Sequence, residues 1–502
     1  MRNINKYGLA LLAVCMLTLS ACQPVAKIEN ASVDLSDKFK VSMAYVEVTT
    51  YPWETFQSWK QGDPGTSGGY GIAVAKDEII YPANKVIDAT DIKVKPFGQD
   101  DFVKASVKIT DYESNLALLK LETEKMAQPM VPVEFYDIYK KGAEVEFFKL
   151  KSNGVVDSGR AFIDDHQVSG ISISYTRHLY FKLANVSQAL SSGEIITLDG
   201  KPIGMGSWSS GSNSGGIVVA KVINHFLEDN KDGVYKGFPT PAFSTTRLID
   251  PTMRRYLGVP AEIKNGCYVT NVNPIGTGAD VLKKGDVILA IDGKELDAYG
   301  RYMDPIFKEM SYYPLITDKQ IGDNIKFEIY RDGKKMELDV TAANFKVEEM
   351  LIDYYTYGKQ PEYIITNGFV FHKLTRPYVT AQGAGRALPR IEGYLNDESY
   401  KATKDRQDIV VLTFTIPLPT NRGYQNYSQL VVKNVNGTKI SNIAQMDQLL
   451  AENKEEFHVI QFEGNYPDLV IPVAQAKEID TMYLPKMYGI KQMKNIEKSK
   501  VN

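Results

Sequence analysis

Apolar and polar positions alternate with period two through a series of short runs between Val41 and about Ile223: VSMAYVEV, GYGIAVA, DIKVKPF, ASVKIT, AEVEFFKL, ISISY and GIVVAKV. Successive side chains of a strand point to opposite faces, so this alternation, broken by turn residues, predicts an all-β sandwich or barrel. The pattern changes at about Gly233, where GVYKGFPTPAFSTTRLIDPTMRRYLGVP is rich in Gly, Pro and Thr and predicts a linker into a new module. Residues 254–345 then carry RRYLGVP, the strand GCYVTNV, a helix-like GADVLKKGD, the strand VILAIDGKEL and a hairpin at Asp332 and Gly333.

From about Glu362 a last segment holds GFVFHKLTRPYV, DIVVLTFTIPLPTNRGYQN and QLVVKNVNGTKISNIAQMDQLLAENKEEFHVIQFEG. VVKNVNGTKISN echoes VILAIDGKELDA, a weak internal repeat. Behind it, Ile443, Met446, Leu449 and Leu450 share one face of a predicted helix, and FHVIQF predicts a strand.

Length and composition agree with this division. A chain of 502 residues exceeds one hydrophobic core, and 43% hydrophobic with 24% charged residues describes folded domains. A formal net charge of −3 without a long basic run removes nucleic acid as an expected partner.

The first residues change the picture of where the domains work. Arg2 and Lys6 form a positive n-region, and Gly8 to Leu17 is an apolar stretch of export-signal length, too short to span a bilayer. Leu19, Ser20, Ala21 and Cys22 look like a bacterial lipobox, in which the Cys22 thiol is acylated and becomes the new N-terminus. An ordinary secretory signal with a chance cysteine would export the chain equally. By resemblance to Gram-negative lipoproteins, Gln23 directs the anchored protein to the periplasmic face of the outer membrane. Cys15 leaves with the signal, so Cys267 alone remains as a thiol and no intramolecular disulfide is expected. No Cys/His cluster suggests a metal, and no cofactor is expected. The expected division is signal 1–22, tether 23–40, first domain 41–238, second 239–350 and third 360–495.

Three landmarks carry a resemblance. GYGIAVAKDEIIYPANKVI is similar to the glycine-rich strand pair and TNAHVV motif of Deg/HtrA serine proteases, with Asn84 where the histidine stands. ESNLALLKLE resembles the family's aspartate motif, with Asn115 in place of the aspartate, 31 positions after Asn84 (115 minus 84). FKLANVSQALSSGEIITLDGKPIGM aligns with the GNSGGP region, putting Ser192 at the nucleophile and Leu190 at the oxyanion glycine. Ser191 remains an alternative for the nucleophile. Ser214, in the core-like string Asn213, Ser214, Gly215 and Gly216, falls too late, and residues 209–216 are expected to form a loop. The resemblance implies a mainly β chain: a trypsin-like double β-barrel followed by two PDZ-like α+β domains, the last like the divergent second PDZ of plant-type Deg proteases.

It also implies that the chemistry is lost. A serine hydroxyl attacks an amide only when an imidazole takes its proton and returns it to the leaving amine. Asparagine does neither, and replacing the triad aspartate alone costs about 10⁴ in kcat. The histidines are His166, His178, His225, His372 and His458, all after residue 165, outside the stretch where the base is due. A dyad of Lys85 with Ser192 would need a buried lysine, whereas a solvated strand-end lysine is expected.

Tyr256, Leu257, Gly258 and Val259 are expected to form a carboxylate-binding loop, their N–H groups nesting a peptide C-terminus while the next strand edge accepts β-augmentation. The alternative is that this loop only packs, its groove filled by the chain itself or a neighbouring subunit. The expected function is therefore noncatalytic binding of polypeptide C-termini or unfolded envelope proteins, in a trimer-based homo-oligomer held to the membrane by its lipid. A serine endopeptidase using Ser192 is the rival.

Overall fold

The computed structural model describes residues 35–170, 174–210, 213–383, 385–396 and 401–497. Cys22 and the expected signal and tether up to residue 34 lie outside the described residues.

Two six-stranded barrels come first. Strands β1 (Met43–Thr50), β2 (Gly65–Ala75), β3 (Glu78–Pro82), β4 (Ala89–Pro96), β5 (Val103–Asp111) and β6 (Leu116–Leu121) close in the order β1-β2-β3-β6-β5-β4. Ala44, Val46 and Val48, every second residue of β1, meet Ile79, Tyr81, Val94 and Leu119 in the interior, as the period-two pattern requires. Glycines on β2 make room for this packing. A Cβ at Gly69 would stand 2.3 Å from the Tyr81 hydroxyl, so any side chain there would displace the ring.

The second barrel comprises β7 (Glu144–Leu150), β8 (Val156–Ser169), β9 (His178–Ala184), β10 (Ile195–Leu198), β11 (Lys201–Ser210) and β12 (Ser214–Val219). It closes as β10-β11-β12-β9-β8-β7, which repeats the pairing pattern of the first. The stretch 209–216 is therefore largely hairpin: Trp208, Ser209 and Ser210 pair with Gly216, Gly215 and Ser214. Ser214 is a strand residue whose hydroxyl donates to the Ser210 carbonyl at 3.1 Å. The helix Ala220–Asp229 lays Val222, Ile223 and Phe226 on the barrel.

The first PDZ-like sheet contains β13 (Phe243–Thr246), β14 (Cys267–Val272), β15 (Val287–Ile291), β16 (Lys294–Glu295), β19 (Asn324–Arg331) and β20 (Lys334–Thr341). Its order is β13-β14-β15-β19-β20, with β16 on β15; β17 (Arg301–Asp304) and β18 (Lys308–Ser311) form a separate hairpin. The stretch expected as a plain linker contributes β13 and the helix Pro251–Tyr256, while GADVLKKGD forms turns rather than a helix. Asp286, 1% exposed, is bound bidentately by Arg331 at 2.6 and 2.7 Å, which keeps the buried carboxylate paired. Cys267 is fully buried, and burial pushes its thiol up to about 12.

The last module holds β21 (Tyr363–Thr366), β22 (Phe369–Lys373), β23 (Val410–Thr415), β24 (Leu430–Val435), β25 (Thr438–Lys439), β26 (Phe457–Phe462), β27 (Leu469–Pro472) and β28 (Lys494–Asn495). They run β27-β26-β24-β23-β22-β21-β28, with β25 on β24. The expected helix is present as Ile443–Ala451, burying Ile443 and Met446, and FHVIQF is β26. The weak repeat is structural: β15–β16 turns at Asp292-Gly293 (φ 47° and 71°) and β24–β25 at Asn436-Gly437 (φ 50° and 78°). Two successive positive φ values define the tight hairpin turn that these residue types favour.

Candidate functional site

Asn84 and Asn115, far apart in sequence, are neighbours. Strand β3 ends at Pro82 and passes into a 3₁₀ turn, Ala83–Lys85. Asn115 precedes β6 with φ 59°, a left-handed conformation that asparagine adopts more readily than most residues. Its Oδ1 accepts the Asn84 N–H at 2.8 Å and its carbonyl accepts the Ala83 N–H at 3.0 Å. Asn115 is 3% exposed and caps the turn, while the Asn84 side chain is exposed. Neither amide can take up a proton near neutral pH.

Ser192 sits in the turn before β10, and its hydroxyl donates to the Ser207 carbonyl on β11 at 2.6 Å rather than to either asparagine. Gly193, at φ 93°, presses this turn onto the first barrel: a Cβ there would stand 1.9 Å from the Tyr70 carbonyl oxygen. Leu190 is buried against Gly215 of β12. Beneath the turn, the fully buried Glu194 faces Lys149 at 2.9 Å, and Lys149 also reaches the Ala189 carbonyl at 3.4 Å. Burial raises the Glu194 carboxyl above its ordinary range, with Lys149 opposing.

No histidine approaches these residues through a described hydrogen bond. His178 and His225 pack on Phe238, with ring centroids 4.5 and 4.2 Å away, and burial pushes His178 down to about 3. His166 rests on Phe307 at 5.0 Å, and His458 Nδ1 lies 3.0 Å from Asn453 Nδ2. His372 makes the only Ser–His hydrogen bond among the described residues, its Nε2 lying 2.8 Å from Ser58 Oγ and its Nδ1 2.8 Å from Thr413 Oγ1. Thr413 also donates to the Val370 carbonyl at 3.1 Å and Ser58 to the Thr55 carbonyl at 3.2 Å, so His372 bridges two hydroxyls that each hold a carbonyl acceptor as well. Ser58 is fully buried and the third member is a threonine, so this chain of bonds ties the β1–β2 loop to the last module and offers no nucleophile. No described hydrogen bond joins Lys85 to Ser192.

The loop Tyr256, Leu257, Gly258 and Val259 differs from the expectation. Asp250 caps the preceding helix through the Thr252 and Met253 N–H groups, at 2.9 and 3.3 Å. At the far end the N–H groups of Leu257, Gly258 and Val259 donate to the carbonyls of Met253, Arg255 and Arg254 at 3.0, 3.0 and 2.9 Å. Gly258, at φ 71°, is the left-handed cap that permits this closure. Those three donors are occupied, Tyr256 is 82% exposed, and Val259 is buried, so the open nest is not formed here. The adjoining β14 has neighbours on both sides, and the edges of this sheet are β13 and β20. Asp-Pro before the helix and Gly-Val-Pro after it are start and stop signals that outweigh a ligand loop.

Sequence reasoning also missed the residues flanking Asn115. Glu113 Oε2 accepts the N–H groups of Tyr175 and Thr176, both at 2.7 Å, and its Oε1 accepts the Tyr355 hydroxyl. Asp111 accepts the Ser114 N–H at 2.9 Å and the Tyr235 hydroxyl. The signal was present as acids beside Asn115, but their partners lie as many as 242 positions away. Among the described residues no group of three His, Cys, Asp or Glu side chains could hold a metal ion.

Comparison with known proteins adds the lineage. PDZ domain models match residues 249–342 and 352–494. Protease Do-like 4, mitochondrial, of Arabidopsis thaliana is 24% identical over 471 residues, covering 92% of this chain and 86% of the relative. Protease Do-like 2, chloroplastic, of the same plant is 25% identical over 440 residues, with 86% and 71% covered. The solved HtrA-type protease AlgW with decapeptide superposes with a TM-score of 0.46 at 17% identity, covering 62% of this chain and 97% of that one. With its two barrels and two PDZ domains, the chain is similar to Deg/HtrA-type proteases along nearly its whole length.

Proposed function

We propose that this chain is a noncatalytic Deg/HtrA-type protein that binds polypeptide C-termini or unfolded envelope proteins, as a scaffold or quality-control factor. The observation that carries this reading is the pairing of Asn84 with Asn115 at the two positions where proton transfer would be organised. Ser192, its proton held by the Ser207 carbonyl, has no base to activate it. The unpaired edge of β13, followed by exposed Ser244 and Thr246, is the strand best placed to receive an extended peptide by β-addition. Cys22 acylation would hold the domains at the periplasmic face of the outer membrane, and the family suggests a trimer-based homo-oligomer.

The rival, a serine endopeptidase, is favoured only by the retained Ser192–Gly193 pair. A fluorophosphonate probe applied to the purified chain, its Ser192→Ala variant and an active Deg protease separates the two. The expected outcome is no labelling beside a labelled control; labelling that disappears in Ser192→Ala would establish the endopeptidase instead.

A further inference from the structure

Residues 345–361 join the two PDZ domains and run as a strap across both barrels. Tyr112 packs against Tyr355 and Tyr357 of the strap, each with ring centroids 5.0 Å away. From the second barrel, Tyr175 meets Tyr354 at 3.9 Å and Phe345 at 5.0 Å. Arg376, just inside the last module, lies 5.1 and 5.0 Å from the Tyr175 and Tyr354 rings. The Gly358 N–H donates to the Asp88 carboxylate, close after Asn84.

One side chain gathers these parts. The Glu113 carboxylate binds the main chain of the second barrel at Tyr175 and Thr176 with one oxygen and the strap hydroxyl of Tyr355 with the other. It touches the first barrel beside Asn115, the second barrel and the strap at once. The strap in turn walls a cavity of about 220 Å³ against the last module and one of about 210 Å³ that Pro52, Trp53 and Asp88 of the first barrel also line, and the two share Thr356, Lys359, Pro361, Lys373 and Thr375.

We propose that the segment Asp111–Asn115, which in an active relative would supply the catalytic carboxylate, serves here as a clasp: Glu113 fastens the strap 345–361, and releasing it frees the last module from the barrels. The proposal stands whether or not the barrels cut peptide, because no bond in it involves Ser192.

The groups facing Glu113 set how the clasp answers to pH. Asp111 stands on its own segment, Tyr180 on β9, Tyr235 on the linker to the first PDZ domain, Tyr355 on the strap and Arg376 on the last module. Burial pushes the Glu113 carboxyl from 4.5 up to about 7, with Tyr355, Thr176 and Arg376 opposing and Asp111 assisting. The clasped state thus binds the proton more tightly than an opened one. Its contribution is full below about 4.5 and is lost as pH rises through about 7.

Hydrogen-exchange protection factors on the full chain test this. In Glu113→Ala at pH 6, residues 345–361 and 363–366 should exchange about tenfold faster or more, with residues 243–341 unchanged. Wild type should lose strap protection between pH 6 and pH 8.5. Glu113→Gln keeps the acceptor and the shape without the titration, so it should stay clasped and show no such pH slope. Wild-type strap protection in Glu113→Ala, a loss spread evenly over all domains, or equal pH slopes in wild type and Glu113→Gln would each overturn the clasp.

Discussion

Phe243, Tyr312 and Phe327 of the first PDZ domain share one continuous apolar cluster with Phe181, Ile217 and Phe226 of the second barrel unit. The last PDZ domain instead forms clusters of its own, which admit only isolated residues from elsewhere, such as Trp59, Tyr175 and Ile275. Its other ties are directional: Ser58 to His372, Gln360 to the Ser58 carbonyl at 2.9 Å, Asp88 to Gly358, and Glu113 to Tyr355. Apolar burial accumulates with area and has no preferred direction, so the first junction resists separation as a whole. A hydrogen bond contributes about 1 kcal/mol net and depends on one geometry, so the second junction can be undone a group at a time.

The contrast can be broken hardest at Phe238, which lies between His178 and His225 where the barrel hands over to the first PDZ domain. Phe238→Ala should cost about 3–5 kcal/mol and lower the melting temperature of the second barrel and the first PDZ domain together. Two separated transitions, with only one displaced, would show that the shared cluster does not couple them. Ser58→Ala should cost about 1–2 kcal/mol by removing the hydroxyl that His372 Nε2 meets, and the loss should appear as faster amide exchange in β21 to β23 alone. Tyr256→Ala sharpens the comparison from the other side. It removes an 82% exposed ring from a loop whose donors are already used, so stability should change by less than about 0.5 kcal/mol and peptide affinity not at all.

The barrels were legible because a half-buried strand prints its burial on every second residue, as in Ala44, Val46 and Val48. The pairing of Asn84 with Asn115 was legible because the spacing and the apolar strands around both positions survive. The helix cap at Tyr256 was not legible because a glycine near a helix end serves a ligand nest and a helix cap equally well, and only the Asp-Pro start signal points to the cap. The clasp was hidden for a different reason. Glu113 finds Tyr355 across 242 positions, and no local periodicity records a contact made by one carboxylate to another module.

Gly193 bears on how a Ser-Gly pair in a sequence is read. A side chain there would collide with the Tyr70 carbonyl at 1.9 Å, so the glycine is demanded by the fit of one barrel against the other, independent of any reaction. A search that scores intact Ser-Gly pairs would therefore credit to catalysis a glycine that packing alone demands. The more informative positions are Asn84, exposed after β3, and Asn115, buried before β6, where the side chain itself decides whether a proton can be held.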